Sequence, residues 1–249
     1  MKQHWKKIAL GAGAAVLLGI GAIYAYIFIF KDDAPPALTS EDLDDALTTS
    51  TQVPGTGDPG ATGPPSTDGG TAAPAGVDGV WLAVQDGSTV GYRIQEVLAG
   101  VDTEAAGRTD QVTGSITIAG TQVTAGDFTV DMATLTSDES RRDGQFRGRI
   151  MSVDQFPTAT FVLTAPIKFG AVPSDGESLT ATATGDLTLR GVTRNVTFEV
   201  EAQLEGDRIG VLGNIPITFA DYDIPEPSNG IAKVQPDGLL EFIIVFERG

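Results

Sequence analysis

From Val77 onward, apolar and polar residues alternate along most of the chain, and a period of two is typical of half-buried β-strands. Between Val196 and Leu204, for example, every second residue is apolar and the others are Thr, Glu or Gln. Turn residues such as Glu205-Gly206-Asp207-Arg208 separate these runs, which predicts short hairpins and mostly antiparallel strands. The pattern predicts an all-β domain of about eight to ten strands, built as a sandwich or as a closed barrel.

One segment, from Thr136 to Ser152, breaks the alternation. Ser137 can cap a helix whose first residues are acidic and whose later residues are basic, so a short helix is expected here. Pro157 prevents its continuation. Its apolar side chains form either a lid over the mouth of a barrel or a plug that belongs to the core; they are Phe146, Ile150, Met151 and Phe156.

The region before the strands contains an uncharged apolar run from Ile8 to Phe30. As a helix it would be about 35 Å long, enough to cross a hydrocarbon core of roughly 30 Å. Three lysines precede it, which predicts a cytoplasmic N-terminus (residues 1–7) and an extracytoplasmic remainder. The run is longer than the apolar part of a cleaved signal peptide, so we expect an uncleaved, single-pass signal anchor in the cell membrane.

Three small residues, Gly11, Ala15 and Gly19, lie four apart within the expected anchor. This spacing allows two membrane helices to approach closely. It makes a homodimer possible, although such spacing is common in membrane spans.

Residues 31–76 have the composition of a linker, rich in Pro, Gly, Thr, Ala and Asp. A segment with so few large apolar residues is expected to remain disordered. As a flexible coil it would reach roughly 35 Å. The stretch from Ser40 to Leu47 can form a single helical turn, for which the sequence suggests no packing partner. We therefore assign residues 77–249 to the folded domain.

The composition excludes several kinds of active site. The chain has no cysteine, and its single histidine is His4, which precedes the apolar run. Thiolate nucleophiles, Ser-His-Asp triads and histidine-ligated metals are therefore ruled out within the strand region, and we expect no metal and no other cofactor. The formal net charge of −17 argues against a nucleic-acid partner.

Acidic residues are the remaining candidates for chemistry. They do not have the spacing of a known calcium loop, and a catalytic pair would have to face across a cleft. We therefore expect no catalytic residues; the acidic side chains considered were Asp127, Asp131, Asp138, Glu139, Asp221 and Asp223.

Two long motifs resemble a known family. The first contains Arg142-Asp143, Phe146 and Arg147 and ends in DQFPTATF at Asp154–Phe161; the second is ATGDLTLRGVTRNV at Ala183–Val196. Together with Trp81 and the stretch Ser88-Thr89-Val90-Gly91-Tyr92, they resemble the YceI-like family of polyisoprenoid-binding periplasmic proteins. The resemblance covers about Trp81 to Glu247.

This resemblance implies a lipocalin-like, antiparallel, eight-stranded barrel without catalytic activity. It also implies a long apolar pocket for an isoprenoid chain, such as that of a quinone or a polyprenyl precursor. Family members often have a histidine before the serine of the first stretch, where this chain has Gly87-Ser88. A polar contact near the pocket mouth is therefore expected to be missing or replaced.

The residues expected to contact such a ligand are mainly the inward apolar residues of the strands, although the same residues could simply pack a core. They are Tyr92, Ile94, Ile116, Phe128, Val130, Met132, Phe146, Phe156, Phe161, Leu163, Leu187, Leu189, Phe198 and Phe219. Arg141, Arg142 and Arg147 are expected at a polar mouth. They either clamp a headgroup, for which guanidinium groups are suited, or belong to a structural ion-pair network.

These features predict a membrane-tethered protein that binds an isoprenoid or another long-chain lipid for storage, transport or sequestration. The alternative is an interaction module with a packed barrel that binds a protein or cell-envelope partner. An empty interior would favour the first hypothesis and a filled interior the second.

Overall fold

The computed structural model describes residues 34–48, 76–98, 100–228 and 232–249. The expected anchor at residues 8–30 and most of the expected linker lie outside these ranges. Within them, no helix has both the length and the apolar character needed to cross a bilayer. The strands are β1 Gly79–Leu98, β2 Val101–Thr109, β3 Val112–Ala119, β4 Gln122–Asp131, β5 Thr136–Ser137, β6 Thr158–Ala165, β7 Ile167–Lys168, β8 Ser178–Leu189, β9 Val192–Glu205, β10 Arg208–Thr218, β11 Ala232–Val234 and β12 Asp237–Arg248.

Short helices accompany the strands. The α-helices are α1 Ser40–Thr48 and α2 Ser140–Gln145. One turn of π-helix, Phe146–Ile150, continues α2, and two 3-10 turns occupy Met132–Thr134 and Phe219–Tyr222. A helical interruption was therefore correctly expected between Thr136 and Ser152.

The sheet closes on itself. Its hydrogen-bonded strands follow the order β1-β3-β4-β6-β8-β9-β10-β12, and β12 also pairs with β1. β2 and β3 act as one long interrupted strand, because β2 pairs with the C-terminal half of β1 and β3 with its beginning. All pairs are antiparallel, which confirms the predicted eight-stranded antiparallel barrel with a short helical segment.

A bulge in β1 shifts the register of this strand against β12. The register with β12 shifts between Val84 and Thr89, where Gly87 has a φ of +80°. Ser88 is buried, and its hydroxyl oxygen accepts a hydrogen bond of 2.9 Å from the backbone N–H of Val245. This bond satisfies a donor that the shifted ladder would leave unpaired.

The interior consists of two apolar clusters at opposite ends of the barrel. One lies beside α2 and includes Met132, Phe146 and Phe219. The other includes Trp81, Ile116 and Phe246. We call these ends the α2 end and the far end.

Residues 34–48, here called the N-terminal segment, pack on the outer wall of the barrel. Leu43 and Leu47 of α1 are 0% and 3% exposed and lie against Leu212, Ile243 and Val245. The expectation of a disordered linker is therefore wrong for this segment. Its apolar pair, spaced by four residues, finds a partner surface that the sequence did not suggest.

The start of α1 is stabilised by a reciprocal cap. The hydroxyl of Thr39 accepts from the backbone N–H of Asp42 at 3.4 Å, and the Asp42 carboxylate accepts from the backbone N–H of Thr39 at 2.8 Å. This arrangement is a capping box, in which each residue satisfies a free donor of the other.

Two glycines of the barrel provide the space for α1. A Cβ at Gly210 would lie 2.6 Å from Cδ1 of Leu43, and a Cβ at Gly87 would lie 2.6 Å from the carbonyl oxygen of Ala46. Gly87, expected near the pocket mouth, therefore lies on the outer wall beneath α1. A side chain at position 87 would collide with the docked helix.

Buried charges hold the first residues of the N-terminal segment. Glu241 is fully buried and accepts from Arg93 Nε at 3.2 Å and from Arg108 Nε at 2.9 Å. The same two guanidinium groups donate to the carbonyl oxygens of Pro35, at 2.6 Å, and of Pro36. The segment is thus fixed by polar contacts at one end and by apolar burial along α1.

Candidate ligand-binding cavity

The barrel encloses a cavity of about 550 Å³. This volume lies within the range of roughly 300–1,000 Å³ for small-molecule sites. At the α2 end its lining includes Arg141 and Arg142, and at the far end it includes residues 120–122 and 171–173. The cavity therefore extends along the barrel between the two apolar clusters.

Most of the expected ligand contacts line this cavity. They are Tyr92, Ile94, Ile116, Phe128, Val130, Met132, Phe146, Phe161, Leu187, Leu189, Phe198 and Phe219, with Arg141 and Arg142 at the mouth. Alternation brings those in the strands to one surface, because every second side chain of a barrel strand faces inward. Met132, Phe146 and Phe219 instead lie in helical turns. Contact with a ligand itself stays a prediction.

Three of the expected residues do not belong to the lining. Phe156 packs on the turn between β8 and β9, beneath the guanidinium group of Arg190 at 5.8 Å from the ring centre. Leu163 packs against the far-end cluster. Arg147 donates to the carbonyl oxygen of Leu135 at 3.4 Å. Periodicity cannot predict the positions of Phe156 and Arg147, because both lie outside the strands. Leu163 lies in β6, directly before a shift in its register with β8.

A series of phenylalanine rings crosses the middle of the cavity. Phe128 contacts Phe246 and Phe161 at centroid distances of 5.7 and 6.5 Å, and Phe198 contacts Phe161 and Phe242 at 5.6 and 6.1 Å. These separations are typical of favourable aromatic pairs. They form a continuous apolar surface between the two ends.

Two inward glycines make room for these rings. A Cβ at Gly185 would lie 2.3 Å from Cζ of Phe161, and a Cβ at Gly213 would lie 2.4 Å from Cζ of Phe242. A glycine in the middle of an inward apolar series, as at Gly185, is a sequence signal for such close packing.

The sequence did not identify the lining residues of β12, namely Leu240, Phe242, Ile244 and Phe246. In this strand the run is apolar on both faces, because Ile243 and Val245 face outward and are covered by α1. Alternation is therefore absent, and the inward face cannot be recognised from the pattern alone.

The segment α2 and its π-turn lie across one end of the barrel and contribute to the cavity lining. Phe146 stacks on Tyr92 of β1, with 5.1 Å between centroids and 10° between planes. Asp143 is buried and accepts two hydrogen bonds from Ser137, from the backbone N–H at 2.9 Å and from the hydroxyl at 2.7 Å. These contacts attach the segment to the barrel, and both Phe146 and Met151 belong to the core cluster of this end.

Arg142 is paired within the mouth. Its guanidinium group lies 3.6 Å from the carboxylate of Glu96 and contacts that of Asp138. All three side chains have low exposure, between 10% and 18%. Outside the lining, Arg149 donates to the carbonyl oxygen of Pro227 at 3.0 Å. In this arginine-rich segment Arg142 thus forms ion pairs, whereas Arg147 and Arg149 donate to backbone carbonyl oxygens.

The mouth also contains a phenol that stays neutral. Burial raises the pKa of Tyr92 to about 12, with the nearby Arg142 opposing and the neighbouring carboxylates reinforcing the shift. The hydroxyl group is thus protonated over the physiological range. Glu96, an inward residue missed by the sequence analysis, lies beside it on the same face of β1.

No metal site is found among the side chains that the structure describes: no three His, Cys, Asp or Glu residues lie close enough together to hold an ion. The acidic residues considered as a calcium site are not gathered. Asp127 instead accepts a hydrogen bond from the hydroxyl of Ser115, and Asp131 accepts one from the backbone N–H of Ala133.

These features define an antiparallel β-barrel that encloses an elongated, largely apolar cavity with charged side chains at its α2 end. The YceI-like domain family matches residues 81–246, and the chain therefore belongs to the YceI-like family. The resemblance noted from the two sequence motifs is thereby confirmed.

Relatives of known sequence match part of the chain. The UPF0312 protein of Vibrio parahaemolyticus is 34% identical over 103 residues, which is 39% of this chain and 51% of that protein. A UPF0312 protein of Pseudomonas fluorescens is 34% identical over 119 residues, 45% of this chain and 58% of that protein. The chain thus spans only about half the length of the curated relatives it matches.

Solved structures share the fold. A polyisoprenoid-binding domain from Saccharophagus degradans superimposes with a TM-score of 0.56 at 18% identity, covering 70% of this chain and 100% of that domain. BcnA of Burkholderia cenocepacia gives a TM-score of 0.52 at 19% identity, covering 66% of this chain and 98% of that protein. At such identities the likeness concerns the fold.

Proposed function

We propose that this protein binds a long-chain isoprenoid or a similar lipid inside its barrel and keeps it close to a membrane. The observation that carries the proposal is the apolar cavity of about 550 Å³. Burial stabilises each methylene group of a ligand by about 0.8 kcal/mol, so such a cavity can hold a lipid chain without catalytic groups. An open interior also argues against the packed interaction module.

Further support comes from the family and from the fold. The chain belongs to the YceI-like family, and a structural neighbour is a polyisoprenoid-binding domain. The role we propose is storage, transport or sequestration, without catalysis. The tether in this proposal is the apolar run at residues 8–30, which would place the barrel outside the cytoplasm.

The charges at the mouth favour a lipid with an uncharged head, such as a quinone or a free alcohol. Three carboxylates (Glu96, Asp138 and Glu139) and two guanidinium groups (Arg141 and Arg142) line this end. Arg142 already contacts two of the carboxylates. A lipid phosphate would bring more negative charge beside them and would have to compete for the same guanidinium group.

Affinities for two lipids of equal chain length test this proposal. We expect a polyprenol to bind at least about tenfold more tightly than the corresponding polyprenyl phosphate, a difference of roughly 1.4 kcal/mol. Replacing Glu96 by Gln together with Asp138 by Asn frees Arg142 and should reduce this preference. The measurement is a binding titration with both lipids for the unaltered and the altered protein.

The control is Asp102→Asn, which removes a charge from an exposed residue that does not line the cavity. It should leave the preference unchanged. Tighter binding of the phosphate by the unaltered protein would contradict the assignment of an uncharged head, and failure to bind either lipid would contradict the proposed function.

A further inference from the structure

The N-terminal segment has a definite direction along the barrel wall. Its first residues lie at the α2 end, where the carbonyl oxygen of Pro35 accepts from Arg93 at 2.6 Å. Arg93 pairs with Leu239, two residues after β12 begins at Asp237. Pro35 therefore lies close to the rim that surrounds the polar mouth.

The segment ends at the opposite rim. The carbonyl oxygen of Ala46 accepts from Arg208 at 3.4 Å, and Arg208 is the first residue of β10, at the far end. Leu43, between these two contacts, and Leu47, directly after Ala46, are buried against the wall. The segment thus runs from the rim of the mouth, where its first residues lie, to the far end.

We infer that docking of the N-terminal segment turns the mouth at the α2 end toward the membrane. This inference rests on the tether of the proposed function. Only residues 31–34 separate the apolar run ending at Phe30 from Pro35, and they span at most roughly 14 Å when fully extended. A free coil over residues 31–76 would instead reach roughly 35 Å and leave the barrel free to rotate.

This orientation gives the lipid a short route between the bilayer and the cavity. A chain leaving the membrane would meet the mouth lined by Arg141 and Arg142 directly. It would not have to cross the water that separates a freely tethered barrel from the surface. The partner of this end of the barrel is accordingly the lipid surface itself.

The absence of cysteine makes the orientation measurable. The full chain is reconstituted in vesicles that contain a lipid with a headgroup quencher, and one fluorophore is attached to a single introduced cysteine. Asp102→Cys labels the mouth beside the start of β2, and Asp207→Cys labels the turn between β9 and β10 at the far end. We expect quenching of the label at position 102 and none at position 207.

Variants that release the N-terminal segment from the barrel wall are compared with the unaltered chain. Leu43→Asp with Leu47→Asp removes the apolar contacts from the helix side, and Gly210→Glu blocks the seat of Leu43 from the barrel side. Either change should abolish the difference between the two labels. Asp44→Asn, on the exposed face of α1, should preserve it.

Equal quenching at both positions in the unaltered chain, or stronger quenching at position 207, would overturn the orientation. A chain that does not float with the vesicles would overturn it as well, by removing the tether. Polyprenol binding is measured separately on the same preparations, so that a failure of lipid binding is distinguished from a failure of orientation.

Discussion

Replacing Ala183 by tryptophan is expected to abolish lipid binding by the barrel. Ala183 lies in β8, is 1% exposed and belongs to the cavity lining. An indole ring at this position fills space that a lipid chain would occupy beside the phenylalanine series. Overpacking costs about 1–3 kcal/mol in a well-filled core, but here the cavity can receive the ring, so the barrel should remain folded.

Thr182→Trp is the matched control. Thr182 is the preceding residue of β8, and its exposed side chain points away from the cavity. It therefore adds the same ring outside the barrel. Uptake of a polyprenol is compared among the three proteins, with circular dichroism as the check on folding. Unchanged uptake by the folded Ala183→Trp protein would show that the ligand does not occupy this cavity.

Replacing Glu241 by alanine should destabilise the protein by about 3–5 kcal/mol, because it removes the buried carboxylate shared by two arginines and leaves Arg93 with Glu104 alone. Glu241 is 0% exposed and lies 3.2 Å from Arg93 and 2.7 Å from Arg108. The loss of Glu241 would also weaken the hydrogen bonds by which Arg93 and Arg108 hold Pro35 and Pro36. The measurement is the free energy of unfolding in denaturant.

Glu247→Ala is the appropriate comparison, since it lies on the same strand but has a side chain that is 52% exposed and 3.5 Å from Arg208. An exposed ion pair contributes about 0–1 kcal/mol, so this change should be nearly neutral. Equal losses in the two variants would contradict the assignment of Glu241 as the centre of a buried charge cluster.

The strands and their inward faces could be predicted wherever one face is buried and the other is solvated. β9 is such a strand: Phe198 and Val200 are buried, and Glu199 is exposed. Closure of the sheet could not be predicted from alternation, since a sandwich has the same pattern. Closure depends on pairing between β1 and β12, whose residues are far apart in sequence. The prediction of a closed barrel came from the family resemblance.

The outer wall was harder to predict than the interior. Polar residues at outward positions, such as Arg93 and Glu241, have the pattern of solvated side chains, yet they are buried beneath residues 35–38. The docking of α1 depends on a surface formed by strands that are distant in sequence, and a short amphipathic turn does not indicate which surface it packs on. The two leucines of α1, four residues apart, were the one local signal.

The central claim is that the barrel holds a long-chain lipid, and mass spectrometry of organic extracts tests it most directly. Residues 34–249, expressed in exported form, would be purified and extracted. We predict a polyprenyl or quinone species in stoichiometric amount. A lipid-free protein that also fails to take up added isoprenoids would contradict the claim and favour an interaction module.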